Sequence, residues 1–339
     1  MNGRGLFLDT GPGEARGVVL LDGLPERLFI EREGVRSGPR LGARYAARVS
    51  EIARDLGLAY LDLGGEAAVM PVKGGVGPAR GAAVEVEVTA EPRAGKAAVA
   101  RLVGPALAGP GLIAPGPSLE ARLAAAAPDA AIATGDEARE AADEAEEAAL
   151  AVSHTLPGGI VLAIEPTRAL VAIDVDRAGA AAGAKGAAQS NLVAIRHAAR
   201  LVRLKSLGGT IVIDLIGFPA QPEAVRDEAR RAFGPDQPGV TVLAPSRLGL
   251  LQVSRPHRER PVHDLLCDAD GRLSARSVAQ RLARALAREG RADPGARIVA
   301  ACAPEVAAAL APWLPALGPR FQVAGELGWD RLKTDIRVT

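Results

Sequence analysis

Along the first hundred positions, short apolar runs alternate with turns built from Gly, Pro and charged residues. Residues 3 to 34 read as strands at Gly5 to Leu8, Gly17 to Leu21 and Arg27 to Glu31. Five more short runs follow: Ala43 to Val49, Ala59 to Gly64, Glu66 to Pro71, Ala83 to Thr89 and Lys96 to Val103. Their even spacing predicts a small antiparallel barrel, with Arg93-Ala-Gly-Lys96 in a surface turn. Residues 104 to 118 are Gly/Pro-rich, and Ser118 to Ala151 is an Ala-rich stretch of good helix formers. Its acidic run, Asp136 to Glu147, reads as a solvated helix face. From about 156 to 260 the pattern predicts strands at Ile160 to Glu165, Leu170 to Val175, Thr210 to Ile216, Val240 to Leu243 and Leu248 to Ser254. Helices are predicted over Ser190 to Leu207 and Pro222 to Phe233, giving a layered α/β arrangement. Beyond Pro256 to Arg272, a helix from Ser274, strands near Arg297 to Cys302, Arg320 to Ala324 and Thr334 to Val338, and a helix over Pro304 to Leu310 suggest a small α/β unit. The plan is an α/β multidomain chain. Strands of 1–37 pack on the 105–156 region, and a barrel spans 38–104. A reduced linker and helical region spans 105–156, with a layered α/β domain at 157–260, a connection at 261–272 and a small α/β domain at 273–339.

Two of the predicted central strands each end in an aspartate: Ala169-Leu-Val-Ala-Ile-Asp174 and Thr210-Ile-Val-Ile-Asp214, the second reached through Gly208-Gly209. A β-branched run is a buried strand, and a carboxylate at its end emerges where the sheet meets solvent. One such Asp more often caps a turn. Two brought together can hold a hard divalent cation such as Mg2+, bridging a substrate phosphate and an attacking water. From Gln189 to Arg260 there are 11 Lys+Arg against 6 Asp+Glu, a basic setting that suits a phosphodiester. Asp176 follows two residues after Asp174 and reads either as a further metal ligand or as a loop acid. Arg196, Arg200 and Arg203 share one helix face, open to phosphate contact or simply to solvent. Arg247 and Arg255 flank the last central strand and read as backbone contacts for a nucleic acid.

The bulk numbers narrow this picture only a little. Of 339 residues, 48% are hydrophobic and 3% aromatic, so the cores are Ala, Leu and Val and stacking platforms are scarce. Net charge is +1, so affinity for nucleic acid must come from local clustering. Cys267 and Cys302 imply no disulfide framework and fit a reducing cytoplasm. Met1 to Asp9 lacks the features of a signal peptide, and no run approaches the roughly 20 apolar residues of a membrane span. Gly179 to Lys185 has the wrong residues at 184 and 186 for a phosphate-binding loop. His154, His197, His257 and His263 lack metal-ligand spacing, and Cys267-Asp-Ala-Asp270 is not a zinc motif.

At the same residues the chain resembles the ribonuclease E/G family. The matching stretches are Leu170 to Val175, Asn191-Leu192, Arg203 to Asp214 with Ile216, and Ser246 to Arg255. The Leu-Gly-Gly-x-Ile-Val-Ile-Asp string is the specific one. Elsewhere Glu26 to Glu31, the 38–104 segment, Arg297 to Ala301 and Asp330 to Val338 are similar to the family's other parts. The resemblance implies an OB-type RNA-binding barrel, with Tyr60 and Val69 at positions where the family carries aromatics. It implies an endoribonuclease that cuts single-stranded RNA with Mg2+ held by Asp174 and Asp214, phosphodiester hydrolysis proceeding through a metal-activated water. Asp176 stands where the family usually has Asn. Tyr60, Lys96, Arg203, Lys205, Arg247 and Arg255 are the expected RNA contacts. Several positions depart from the pattern. The 5′-monophosphate-sensing Arg-Thr motif has no counterpart in 105–155, and the zinc-linking CPxC is reduced to Cys267, so any homo-oligomer would form without a zinc link. Gly217 and Gln252 replace acids. The other reading is a catalytically weak or inactive RNA-binding protein on the same scaffold.

Overall fold

The computed structural model describes residues 3–34, 38–72, 77–93, 95–177 and 184–338. Strands β1 (Arg4–Gly11), β2 (Glu14–Leu21) and β3 (Leu24–Arg32) form an antiparallel meander. Asp22 and Gly23 make the two-residue turn between β2 and β3, both with positive φ (51° and 78°). That is the turn an Asp-Gly pair favours, because its twist matches the strands it joins.

A closed barrel of five strands follows: β4 (Arg44–Ala53), β5 (Leu58–Asp62), β6 (Ala67–Pro71), β7 (Ala83–Ala90) and β8 (Ala98–Pro105). Around the ring the order is β4-β5-β6-β8-β7 and back to β4, with β6 and β8 parallel. The period-two pattern sends Val84, Val86 and Val88 inward, where they meet Val49, Leu61, Met70 and Ala100. Strand β9 (Gly111–Ala114) lies against β4 outside the ring.

Helix α1 (Leu119–Ala126) begins at Ser118, whose side chain accepts the Ala121 N–H. Strand β10 (Ile132–Ala133) pairs with β1, and helix α2 (Asp136–Leu150) packs on β1–β3. Ala138, Ala142, Ala145 and Ala149 form the buried stripe of α2. Its acidic side is not wholly solvated, as Glu146 is 3% exposed.

The central sheet has the order β11-β12-β13-β14-β16-β15. It comprises β11 (Ser153–Leu156), β12 (Ile160–Pro166), β13 (Val171–Arg177), β14 (Gly209–Asp214), β15 (Thr241–Val242) and β16 (Leu250–Arg255). The expected boundary between 156 and 157 thus falls inside the β11–β12 hairpin. Only β13 and β14 are parallel, joined by helix α3 (Ala184–Leu204). A parallel pair needs such a crossover. The Gly179 to Lys185 stretch lies partly outside the described residues, and α3 is helical from 184, ahead of the predicted start at Ser190. Helix α4 (Pro222–Ala232) packs on α3. Ile160, Leu162, Ile164, Val171, Ile173, Val175, Ile211, Ile213, Leu251 and Val253 face the helices and form the main core. Their alternates, including Ala163, Ala172, Asp174, Val212, Asp214 and Gln252, lie on a face with no buried residue.

The last part holds α5 (Val262–Leu266), α6 (Ala275–Ala292), β17 (Ile298–Cys302), α7 (Pro304–Leu310), α8 (Leu314–Leu317), β18 (Phe321–Gly325) and β19 (Thr334–Val338). It has its own core around Leu282, Leu286, Ile298, Val306 and Leu310.

Candidate active site on the open sheet face

Asp174 on β13 and Asp214 on β14 are register partners. Neighbouring strands lie about 4.8 Å apart, and register partners on parallel strands point to the same face. Both residues are exposed, and the side chain of neither takes part in a hydrogen bond or ion pair among the described residues. Two like charges held this close by a rigid sheet, with no cation paired to them among the described residues, suit a hard divalent ion. Mg2+ keeps several waters and is usually held by one or two carboxylates, so this donor set fits it. Asp176 shares the face two residues along, opposite Val161, and its Oδ1 accepts the Arg177 N–H at 2.6 Å. Among the described residues no three His, Cys, Asp or Glu side chains group closely enough to hold a metal.

The segment after Asp214 is held from two sides. Asn191 on α3, 1% exposed, accepts the Ile216 N–H (2.9 Å) through Oδ1 and donates Nδ2 to the Ile216 carbonyl (3.2 Å). The Leu215 N–H donates to the Gly249 carbonyl at 3.4 Å. Gly249 has φ +82° and sits so close to Gly217 that an added Cβ would meet its carbonyl oxygen at 3.1 Å. The turn 246–249, bearing Arg247, therefore abuts the end of β14. Sequence spacing puts Arg247 near nothing chemical; strand pairing sets Leu250 opposite Asp214 and so brings the turn that carries Arg247 to the end of β14.

Most of the basic excess serves the fold. Of the 11 Lys and Arg between 189 and 260, nine donate hydrogen bonds within the protein and Arg230 pairs with Asp227 at 3.7 Å; Arg247, exposed, is the one with no hydrogen bond or ion pair among the described residues. Three expected RNA contacts are corrected. Arg203, 5% exposed, binds Glu26 and Asp236, each at 3.0 Å. Arg255, 4% exposed, binds Asp236 at 2.9 Å and the Leu207 carbonyl. Lys205, 6% exposed, donates to the carbonyls of Ala148 (3.3 Å), Ala149 (2.9 Å) and Ala151, which the end of α2 leaves unsatisfied. Burial pushes the Lys205 ammonium down to about 8. Arg196 forks onto Glu228 and Arg200 donates to the Pro25 carbonyl, so neither meets the reading of a phosphate face or a free solvated one. The acids and carbonyls that claim these cations lie well away in sequence, out of reach of any spacing argument.

On the barrel, Tyr60 is 37% exposed on β5, paired with Val69 on β6. Lys96 is exposed in the turn closed by Arg93. Glu91 ties the barrel to the chain after β16. Its carboxylate accepts the N–H groups of Leu41 (3.1 Å) and Arg260 (3.0 Å), and its own N–H donates to the Arg258 carbonyl (2.8 Å). His257 packs on Gly208 and Gly209, where an added Cβ would meet it at 2.9 Å. Burial, helped by Arg93, Lys96 and Arg255, pushes His257 down to about 4. Burial with Lys205 and Arg200 does the same to His154. Cys267 and Cys302 are unpaired.

Comparison with known proteins picks out this sheet. The model of the Ribonuclease E/G family matches residues 137–258, from α2 to just past β16. Ribonuclease E of Escherichia coli (strain K12) is 40% identical over 105 residues, 30% of this chain and 10% of that protein. Ribonuclease E of Haemophilus influenzae is 37% identical over 105 residues, 30% of this chain and 11% of that protein. The chloroplastic Ribonuclease E/G-like protein of Arabidopsis thaliana is 34% identical over 158 residues, 41% of this chain and 16% of that protein. The aligned stretches thus span only between 10% and 16% of these relatives' own length. The matched stretch, 137 to 258, carries both aspartates and is similar to the ribonuclease E/G family.

Proposed function

We propose that this chain is an endoribonuclease that hydrolyses phosphodiester bonds of single-stranded RNA, with Mg2+ held by Asp174 and Asp214. The observation that carries the reading is the parallel register of those two residues on an exposed, uncompensated sheet face. An ion bound there supplies positive charge to the scissile phosphate and lowers the pKa of an attacking water. The two carboxylates would hold and orient that charge, and Asp176, outside ligand grouping with them, would add negative charge on the same face. Arg247 contacts the phosphate backbone beside them, and Tyr60 and Lys96 take the strand onto the barrel, whose five-strand ring suits an OB-type nucleic-acid barrel. The unpaired cysteines accord with a cytoplasmic setting, and among the described residues no helix is long and apolar enough to cross a membrane.

Incubation of the protein with an end-labelled single-stranded oligoribonucleotide, with Mg2+ and then with chelator, tests this. Products that require Mg2+ and vanish in Asp214→Asn, while RNA binding persists, are expected. Salt-sensitive binding with no Mg2+-dependent product would instead identify an inactive RNA-binding protein.

A further inference from the structure

We propose that Phe218 is a stacking platform for an unpaired base beside the cleaved bond, so that the Asp174–Asp214 site grips single-stranded RNA directly and not only through the barrel. The inference rests on reading that site as RNA-cleaving, and names the part of it that recognises a base. The chain has two Trp, two Tyr and five Phe. Phe7, Phe29, Phe233 and Phe321 are buried, and Tyr45, Trp313 and Trp329 are partly buried. Among the described residues only Tyr60 (37%) and Phe218 (62%) stand exposed.

A single exposed apolar residue is ordinary on a protein surface. What distinguishes Phe218 is where it is and how it is held. It follows Asp214 by four residues, a reach of at most about 14 Å if fully extended, and the chain bends at Ile216 and Gly217. The bend is pinned by the double hydrogen bond from Asn191 and by the contact of Gly217 with Gly249. The facing turn carries Leu248, 82% exposed, next to Arg247. An exposed aromatic residue next to a pinned backbone bend, an exposed aliphatic side chain and a guanidinium without a partner among the described residues therefore lie on the two segments that meet at the end of β14. A ring for a base face and a guanidinium for a phosphate are the two contacts a nucleotide unit offers. A paired base keeps both faces stacked within its helix, so the ring selects for unpaired RNA.

The test uses a single-stranded oligoribonucleotide with one cleavage position and a set in which each nearby base in turn is replaced by an abasic ribose. Affinity is read by fluorescence anisotropy in the Asp214→Asn background, and kcat/KM in the otherwise unaltered enzyme. Phe218→Ala is expected to lower affinity and kcat/KM by about 5- to 150-fold, and Phe218→Trp to retain both. One abasic position should cost the unaltered protein a similar factor and cost Phe218→Ala almost nothing. Unchanged affinity in Phe218→Ala, or an abasic profile that is the same with and without the ring, would overturn the proposal. If no RNA is cleaved yet Phe218→Ala still loses affinity, the cleavage reading fails and the stacking platform stands.

Discussion

Taking the guanidinium from Arg203 would leave Glu26 and Asp236, each with a side chain 1% exposed, short of the cation that both of them contact. Asp236 keeps Arg255 and Glu26 keeps Arg4 at 3.4 Å, so Arg203→Ala should cost part of the about 3–5 kcal/mol of a wholly unpaired buried charge and lower the midpoint of denaturant unfolding. Arg247 has no such commitment. Arg247→Ala should leave stability within about 0.5 kcal/mol of the parent and weaken RNA binding. If it contacts one phosphate of a single strand, the slope of log affinity against log salt should fall by about 0.7. Salt titrations of RNA affinity beside urea melts of the two variants check the contrast, which fails if the two arginines behave alike. Before any folding, these residues read alike as members of one basic block. What separates them is whether a distant acid, such as Glu26, comes within reach.

The elements that hold the aspartates were legible because their signal is local. The apolar runs before Asp174 and Asp214 announce two buried strands, and the Ser190 to Leu207 helical stretch announces the crossover that makes them parallel. Elements of two to four residues, such as β9, β10 and β11, are too short to show a period, and they sew the 105–156 region into three different sheets. The acidic side of α2 was also illegible, since nothing local marks Glu146 as the member that turns inward. Packing between elements has a consequence for pH. His154 on β11 and His257 beyond β16 are both pushed from 6.5 to about 4, first by burial and then by nearby cations. Burial lowers His197 on α3 as well. The unfolded chain therefore binds more protons than the folded one between pH 6.5 and 4, so stability is fully present above about pH 6.5 and declines as pH falls toward 4. Thermal melts from pH 7.5 to 4.5 should show this decline, and His154→Asn with His257→Asn should flatten it. An equal decline in that double variant would assign the effect to other groups.

Across the whole molecule, a buried ionic web joins the parts that sequence divides. Arg16, 1% exposed, binds Asp9 at 2.6 Å and Glu146 at 3.1 Å. Glu146 also receives Arg281 (2.7 Å) and Arg284 (3.1 Å) from α6, and Arg284 reaches Glu14 on β2 at 2.6 Å. Burial alone would raise the Glu146 carboxyl; the guanidiniums of Arg284, Arg281 and Arg16 outweigh it and hold it below the ordinary range. Glu146→Ala should thus destabilise by about 3–5 kcal/mol and loosen α6 from β2, visible as two calorimetric transitions where the parent shows one. A single unchanged transition would mean that the web does not carry the docking. Such a scaffold keeps the central sheet rigid and leaves its uncovered face to the carboxylate pair. Titration of Mn2+ followed by electron paramagnetic resonance tests that pair most directly. One bound ion in the parent, lost in both Asp174→Asn and Asp214→Asn, is the result expected; an ion retained undiminished by either variant would contradict a site shared between them.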